Sequence, residues 1–533
     1  MASSIITRGS STLEAFTSRA QPKVTVDLQG QTEGLVNTYT TGDRIEGTAT
    51  ITVDRDVRFD DVEITFEGTS RTSVERTSIP GRTGAYQTFL RLRQPIDDTA
   101  YPTPRVLEPN RTYQFPFTFV VPERLLPHAC SHRKTNVHVE RSHTLLPPTL
   151  GDAMLASDGK TLLDDISPDM CRIAYLVRVT VLRRKPSDSD NASSKSLASV
   201  GKKVRVVPAV DEEPPLNVED HESTYCTRKE KDVKRGLLRG KLGRLVVAAT
   251  QPKPVRLNPP ATSESGDSIT NNTNNNPVST AATLHLRFDP VGTEAPPRLG
   301  TVWSKLRVST YFGAEPWPDY PSPSSSSAMM LAQMGRGSYT ESVPLSTLCL
   351  ASSASAGWTR HEPPRLDRCA SRQSSTSSSS SSSSGTDSLT GPSASFDGDS
   401  AYYTASVVVP LALPSSKTFV PSFHSCLISR VYALDLSISY HTPNANILTP
   451  TVSLRIPLQF TCARRAVAQK DHPHEISIDE VNAEFFNPRS VAPPPASSLP
   501  APPDYSEIAS FSVLPDRSQD LLTSARGRVR TAC

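Results

Sequence analysis

Apolar and polar residues alternate with period two along most of this chain. Ile45, Gly47, Ala49, Ile51 and Val53 interleave with Arg44, Glu46, Thr48, Thr50 and Thr52, which turns one face of a strand to a core and the other to water. The same alternation recurs in Val24, Val26 and Leu28; in Val62, Ile64 and Phe66; in Tyr113, Phe115, Phe117 and Phe119; and in Ile173, Tyr175, Val177, Val179 and Val181. Strands of this kind, joined by Gly, Asp and Pro turns, predict an antiparallel sandwich. A second set follows at 245–249, 284–288, 306–312 and 406–409. It closes with two long runs, Tyr432, Leu434, Leu436, Ile438, Tyr440 and Val452, Leu454, Ile456, Leu458, Phe460. The predicted fold class is all-β, with two antiparallel sandwiches in tandem.

Between these strands lie stretches without apolar residues, including an unbroken run of serines from Ser377 to Ser384. Such segments cannot bury enough surface to offset the entropy of ordering, and they cost little when grown as loops inside a domain. The expected organisation is a disordered tail over 1–21, a first sandwich over 22–209 and a charged linker over 210–235. A second sandwich over 236–465 carries Ser/Asn-rich inserts at 262–277, 320–336 and 362–400, and a disordered Pro-rich tail follows over 466–533.

Composition narrows the function. Lys and Arg total 57 against 54 for Asp and Glu, a formal charge of +3, too balanced for a nucleic-acid binder. The eight cysteines stand singly, with no CxxC pair, which suits a reducing compartment. The first twenty residues hold no apolar run of signal-peptide length, and no uncharged apolar stretch approaches a bilayer span. The expectation is a cytoplasmic protein recruited to the plasma membrane or endosomes by docking. No GxSxG, P-loop, HExxH or paired CxxC occurs, so no catalytic centre and no cofactor are expected.

Three blocks, YTTGDRIEGTATITV (39–53), VRFDDVEITFEGTSRTSVE (57–75) and RTYQFPFTFVVPERLLPHACSH (111–132), stand in that order. They resemble the N-terminal domain of arrestins, and filamentous-fungal α-arrestins above all. TLLPPTLGD (144–152) and ISPDMCRIAYLVRVTVLR (166–183) fit the later part of that domain, and FVPSFHSCLISRVYALDLSISYHTP (419–443) is similar to closing strands of the C-terminal half. The resemblance spans roughly 22–465 and implies a bilobed, non-enzymatic scaffold that recognises membrane cargo, a transporter or a receptor. The alternative is a scaffold of the same fold that organises signalling or endosomal sorting without ubiquitin.

In the tail, Pro502, Pro503, Asp504 and Tyr505 form a PPxY sequence within SVAPPPASSLPAPPDYSEI. Prolines bias the backbone toward polyproline II, so little entropy remains to be lost on entering the aromatic groove of a WW domain. Pro502 and Pro503 would lie on the groove's rings, and Tyr505 would fill the adjacent pocket. A Pro-rich tail also produces such a pattern by chance. The arrestin resemblance adds the implied partner, a WW-domain HECT ubiquitin ligase. Tyr505 also begins a looser YxxΦ pattern, and Trp317-Pro318-Asp319-Tyr320 imitates PPxY with Trp at its first position, which reads as a loop turn.

The basic run holds Arg228, Lys229, Lys231, Lys234, Arg235, Arg239, Lys241 and Arg244 against Glu230 and Asp232. It is either a solvated linker or a contact for anionic lipid or cargo. Ser187, Ser371 and Ser375 lie close after basic residues and are candidate phosphosites. Cys130, His132, His138 and His143, with His128 nearby, have zinc-binding chemistry, but their spacing matches no zinc finger. Residues alternating against a sheet account for them, and no metal is expected.

Overall fold

The computed structural model describes residues 21–75, 81–156, 159–160, 162–184, 194–216, 218, 224–235, 240–258, 280–321, 331, 334–350, 357–362, 390–398, 400–442 and 449–464. These fall within one compact unit, Met1–Ala466.

The first sandwich faces a three-stranded sheet, Lys23–Leu28, Arg44–Thr52 and Tyr113–Val120, with a five-stranded one. The larger sheet runs Thr38–Tyr39, Ser194–Val206, Cys171–Arg184, Asp61–Glu75, Arg82–Arg93 in spatial order. Register follows the alternation: Leu28 stands opposite Gly47, which stands opposite Phe117, so the inward faces of neighbouring strands line up. Gly47 leaves room for that neighbour, since a Cβ there would lie 2.6 Å from Cζ of Phe117. From the larger sheet Phe66 meets Phe119 at 6.0 Å and Tyr175 at 5.8 Å between ring centroids, closing the core.

The second sandwich repeats the plan. One sheet is ordered Arg228–Lys234, Lys241–Ala249, Thr280–Pro290, Tyr402–Leu411, Thr359–His361. The other is ordered Arg336–Cys349, Arg298–Gly313, Ile428–His441, Phe423–His424, with Thr451–Leu458 also paired to Ile428–His441. The two long runs lie where the alternation puts them, with Leu434 opposite Ile456 and Leu436 opposite Leu454, all buried.

Four features depart from the sequence reading. Part of the expected linker is strand: Arg228–Lys234 pairs with Lys241–Ala249, because alternating charges here cover a sheet edge. Arg82–Arg93, Ser194–Val206 and Arg336–Cys349 are long strands whose weak apolar alternation hid them. A short helix, Val137–His143, begins where the Asn136 side chain accepts from the Val139 amide at 3.0 Å. Within the expected insert 362–400, residues 390–398 pack against the fold. The Ser393 amide donates to Asp289 at 2.8 Å, and Arg287, itself bonded to Asp289, lies over the Phe396 and Tyr402 rings.

The sandwiches share a seam. Phe312, Val420, Phe423, Leu427 and Ile428 of the second belong to the same buried cluster as the first sandwich's core. Polar bonds border it. Buried Arg430 donates to the carbonyls of Asp165 (2.9 Å) and Ile166 (3.3 Å) and to Ser167 Oγ (2.9 Å), and Lys417 pairs with Asp164 at 2.8 Å.

Candidate functional site

The tail motif of Pro502, Pro503 and Tyr505, the serines Ser187, Ser371 and Ser375, the residues 262–277 and Arg239 lie outside the described residues. The remaining sequence-derived residues fall at two places.

The first is the basic hairpin. Most of its cations have partners inside the fold: Arg228 meets Glu230 at 2.7 Å, Lys241 meets Asp232 at 2.8 Å, and Arg244 reaches Glu230 at 3.3 Å and Asp232 at 3.2 Å. Arg235 pairs with Glu294, and Lys231 donates to the Thr451 carbonyl at 2.8 Å. The Asp232 carboxyl is held below its usual range, first by the Lys241 hydrogen bond and further by Arg244. Exposed Lys229 and Lys234 have no carboxylate within 4.0 Å among the described residues. Alternation along a strand places cations beside anions, so the run is a laced surface with two outward lysines.

The second is the seam near the short helix. A 3-10 turn, Pro127–Cys130, turns the Cys130 thiol inward, and the helix ends on buried His143. His132 lies between them. Cys426, in the turn before Ile428–His441, arrives from the second sandwich. One donor atom from each of Cys130, His132, His143 and Cys426 lies within 4.8 Å of all the others. His128 and His138 are exposed and outside this group. Burial lowers His143 to about 3, with His132, His424 and Lys134 adding to it, and pushes the Cys426 thiol up to about 12, with Cys130 adding.

Trp317-Pro318-Asp319-Tyr320 straps this junction. Trp317 is buried edge-on to Tyr311, and its amide donates to the Cys426 carbonyl at 2.8 Å. The Pro318 carbonyl accepts from the Thr135 amide at 2.9 Å, and the Tyr320 hydroxyl lies 2.8 Å from Ser142 Oγ. A segment tied down on both sides, with its Trp buried, is not free to enter a WW groove.

Comparison with known proteins places this architecture. The family model described as Bul1 N terminus matches residues 72–161, and that described as Bul1 C terminus matches residues 353–459. The chain is arrestin-like. Bul1 is a fungal arrestin-related trafficking adaptor family, and its members are non-catalytic. No curated protein matches the chain. The first matched segment of this arrestin-like chain contains the edge strand Arg82–Arg93 and the strand Tyr113–Val120 of the first sandwich, the short helix and Cys130, His132 and His143. The second contains Cys426 and the closing strands of the second sandwich.

Proposed function

We propose that this arrestin-like chain is an adaptor that binds a membrane transporter or receptor and bridges it to a WW-domain HECT ubiquitin ligase for ubiquitin-dependent endocytosis. Two sandwiches similar to the Bul1 segments, followed by a polyproline-flanked PPxY, carry this reading. The division of labour is physical. A folded scaffold of large, non-catalytic surface holds cargo, while a pre-extended tail peptide recruits the ligase at low entropic cost. Lys229 and Lys234 would turn toward anionic headgroups once the adaptor is recruited from the cytoplasm.

The test is binding of the full chain to the isolated WW domains of a HECT ligase, followed by ubiquitylation in a reconstituted mixture with the whole ligase. Tyr505→Ala empties the pocket that fixes register, and Pro503→Ala removes ring contact and preorganisation. Each is expected to weaken binding by ~10-fold or more. Asp504→Ala should leave it nearly unchanged. Undiminished binding and ubiquitylation of the Tyr505→Ala variant would overturn the ligase bridge and favour the scaffold without ubiquitin.

A further inference from the structure

Cys130, His132, His143 and Cys426 offer two sulfurs and two nitrogens around one point. Nδ1 of His143 is 3.3 Å from Nε2 of His132, and Sγ of Cys130 is 3.2 Å from His132 Nε2 and 3.7 Å from His143 Nδ1. Zinc takes thiolate at about 2.3 Å and imidazole at about 2.0–2.1 Å in a tetrahedron, whose edges are then about 3.3 Å between nitrogens and about 3.6 Å between nitrogen and sulfur. The distances between these side chains are close to those edges. We propose that these four side chains bind one zinc ion and that the ion joins the two sandwiches.

The surroundings fit a closed structural site. Nδ1 of His132 lies 2.9 Å from the carbonyl oxygen of Arg133. A carbonyl only accepts, so Nδ1 carries the proton and Nε2 presents its lone pair to the cluster, the outer bond that commonly orients a metal-binding histidine. Cys130, His143 and Cys426 are buried, and all four protein donors are present, so no position is left for a reacting water. Binding sends both thiol protons to solvent and leaves Zn2+ with two thiolates and two neutral imidazoles. That assembly has no net charge, which permits its burial at an interface.

Connectivity gives the ion its role. Cys130, His132 and His143 lie on one continuous piece of the first sandwich, whereas Cys426 is held by the second through the Trp317 amide on its carbonyl. Three ligands fix the ion to one body and the fourth clips the other body to it. This inference stands on the cluster alone and is independent of the ligase reading.

The experiment is metal analysis of the full chain purified under reducing conditions without chelator, with Co2+ exchange as a second readout. The expected result is one zinc per chain. Cobalt substitution should give the intense visible bands of a tetrahedral centre and a thiolate-to-cobalt charge-transfer band. Cys426→Ser should lose the zinc, whereas Cys349→Ser, at an exposed cysteine outside the cluster, should keep it. Because a ligand variant can misfold, the wild-type chain is also treated with chelator: amide exchange should rise at both 126–144 and 422–430 and fall again when zinc is restored. A metal-free chain that takes up no zinc, a different resident metal, a Cys130–Cys426 disulfide in the reduced preparation, or zinc retained by Cys426→Ser would each overturn the proposal.

Discussion

Ile166 shows how single residues hold the seam. Its φ of 59° is the left-handed region, which a β-branched side chain adopts at a cost of about 1–2 kcal/mol. The conformation persists because Asp164 accepts from the Ile166 amide at 3.1 Å and Arg430, from the other sandwich, donates to the carbonyls of Asp165 and Ile166. Arg430→Met leaves both carbonyls without that donor in a buried place, and the expected loss is about 2–4 kcal/mol of stability by thermal or denaturant unfolding. Arg430→Lys should not restore it, because one ammonium cannot span three acceptors held apart by a guanidinium. An unchanged midpoint for Arg430→Met would remove Arg430 as the tether. Gly68 is constrained differently: a Cβ there would meet Phe89 at 2.5 Å and Tyr175 at 2.9 Å, both core rings. Gly68→Ala should therefore cost about 1–3 kcal/mol through overpacking, read as a lower unfolding midpoint. Glycines and apolar positions of this kind stand in plain alternation in the sequence. Arg430 does not, because nothing local to it signals a strained turn in the distant first half.

At the scale of elements, legibility followed burial. Inner strands such as Cys171–Arg184 alternate strictly between buried and partly exposed positions, so their period could be read directly. Edges with mostly exposed or half-buried positions could not. Arg82–Arg93, Arg336–Cys349 and Arg228–Lys234 each end a sheet; in Arg228–Lys234 charges cover the edge and resist pairing with other chains, and in Arg336–Cys349 small and hydroxyl residues take the outer positions, in each case at the expense of the hydrophobic signal. The Cys/His group was half legible. Cys130, His132 and His143 are close in sequence, but the fourth donor comes from the other sandwich. The basic hairpin provides a pH test. The Asp232 pKa is depressed in the folded chain, so its contribution is present above the unfolded carboxylate value, about 3.9, and is lost as pH falls through the folded value. The protection of amides along 228–234, measured against the intrinsic exchange rate at each pH, should fall on acidification through that window, and less so in Asp232→Asn, which has already lost the linkage. Equal acid sensitivity in both chains would assign the effect to other carboxylates.

Across the whole molecule, the two sandwiches were legible as separate runs of strands, whereas their union was not. The seam is apolar at its centre: Val420 and Ile428 are fully buried, and Phe423 and Leu427 nearly so, within the cluster that also holds Ile173, Tyr175 and Phe66. Around that centre lie Arg430 on the Asp165–Ser167 turn, Lys417 on Asp164 and the Trp317–Tyr320 strap. Full burial of a Val, Leu, Ile or Phe side chain contributes about 1.5–3 kcal/mol, so cutting the chain between the sandwiches forfeits several such terms together and leaves an apolar patch open to water. Residues 21–215 and 216–464 expressed apart are therefore expected to be poorly soluble, to bind a dye that reports exposed apolar surface, and to melt without a sharp transition. Co-expressed, they should associate through the same seam and recover solubility. The intact chain should unfold in one cooperative calorimetric transition, since the core of the first sandwich runs on through Phe312, Val420, Phe423, Leu427 and Ile428 of the second and opens with it. Two well-separated transitions in the intact chain, or fragments that each melt sharply at the temperature of the whole, would show that the seam is a contact between independent bodies rather than part of their core.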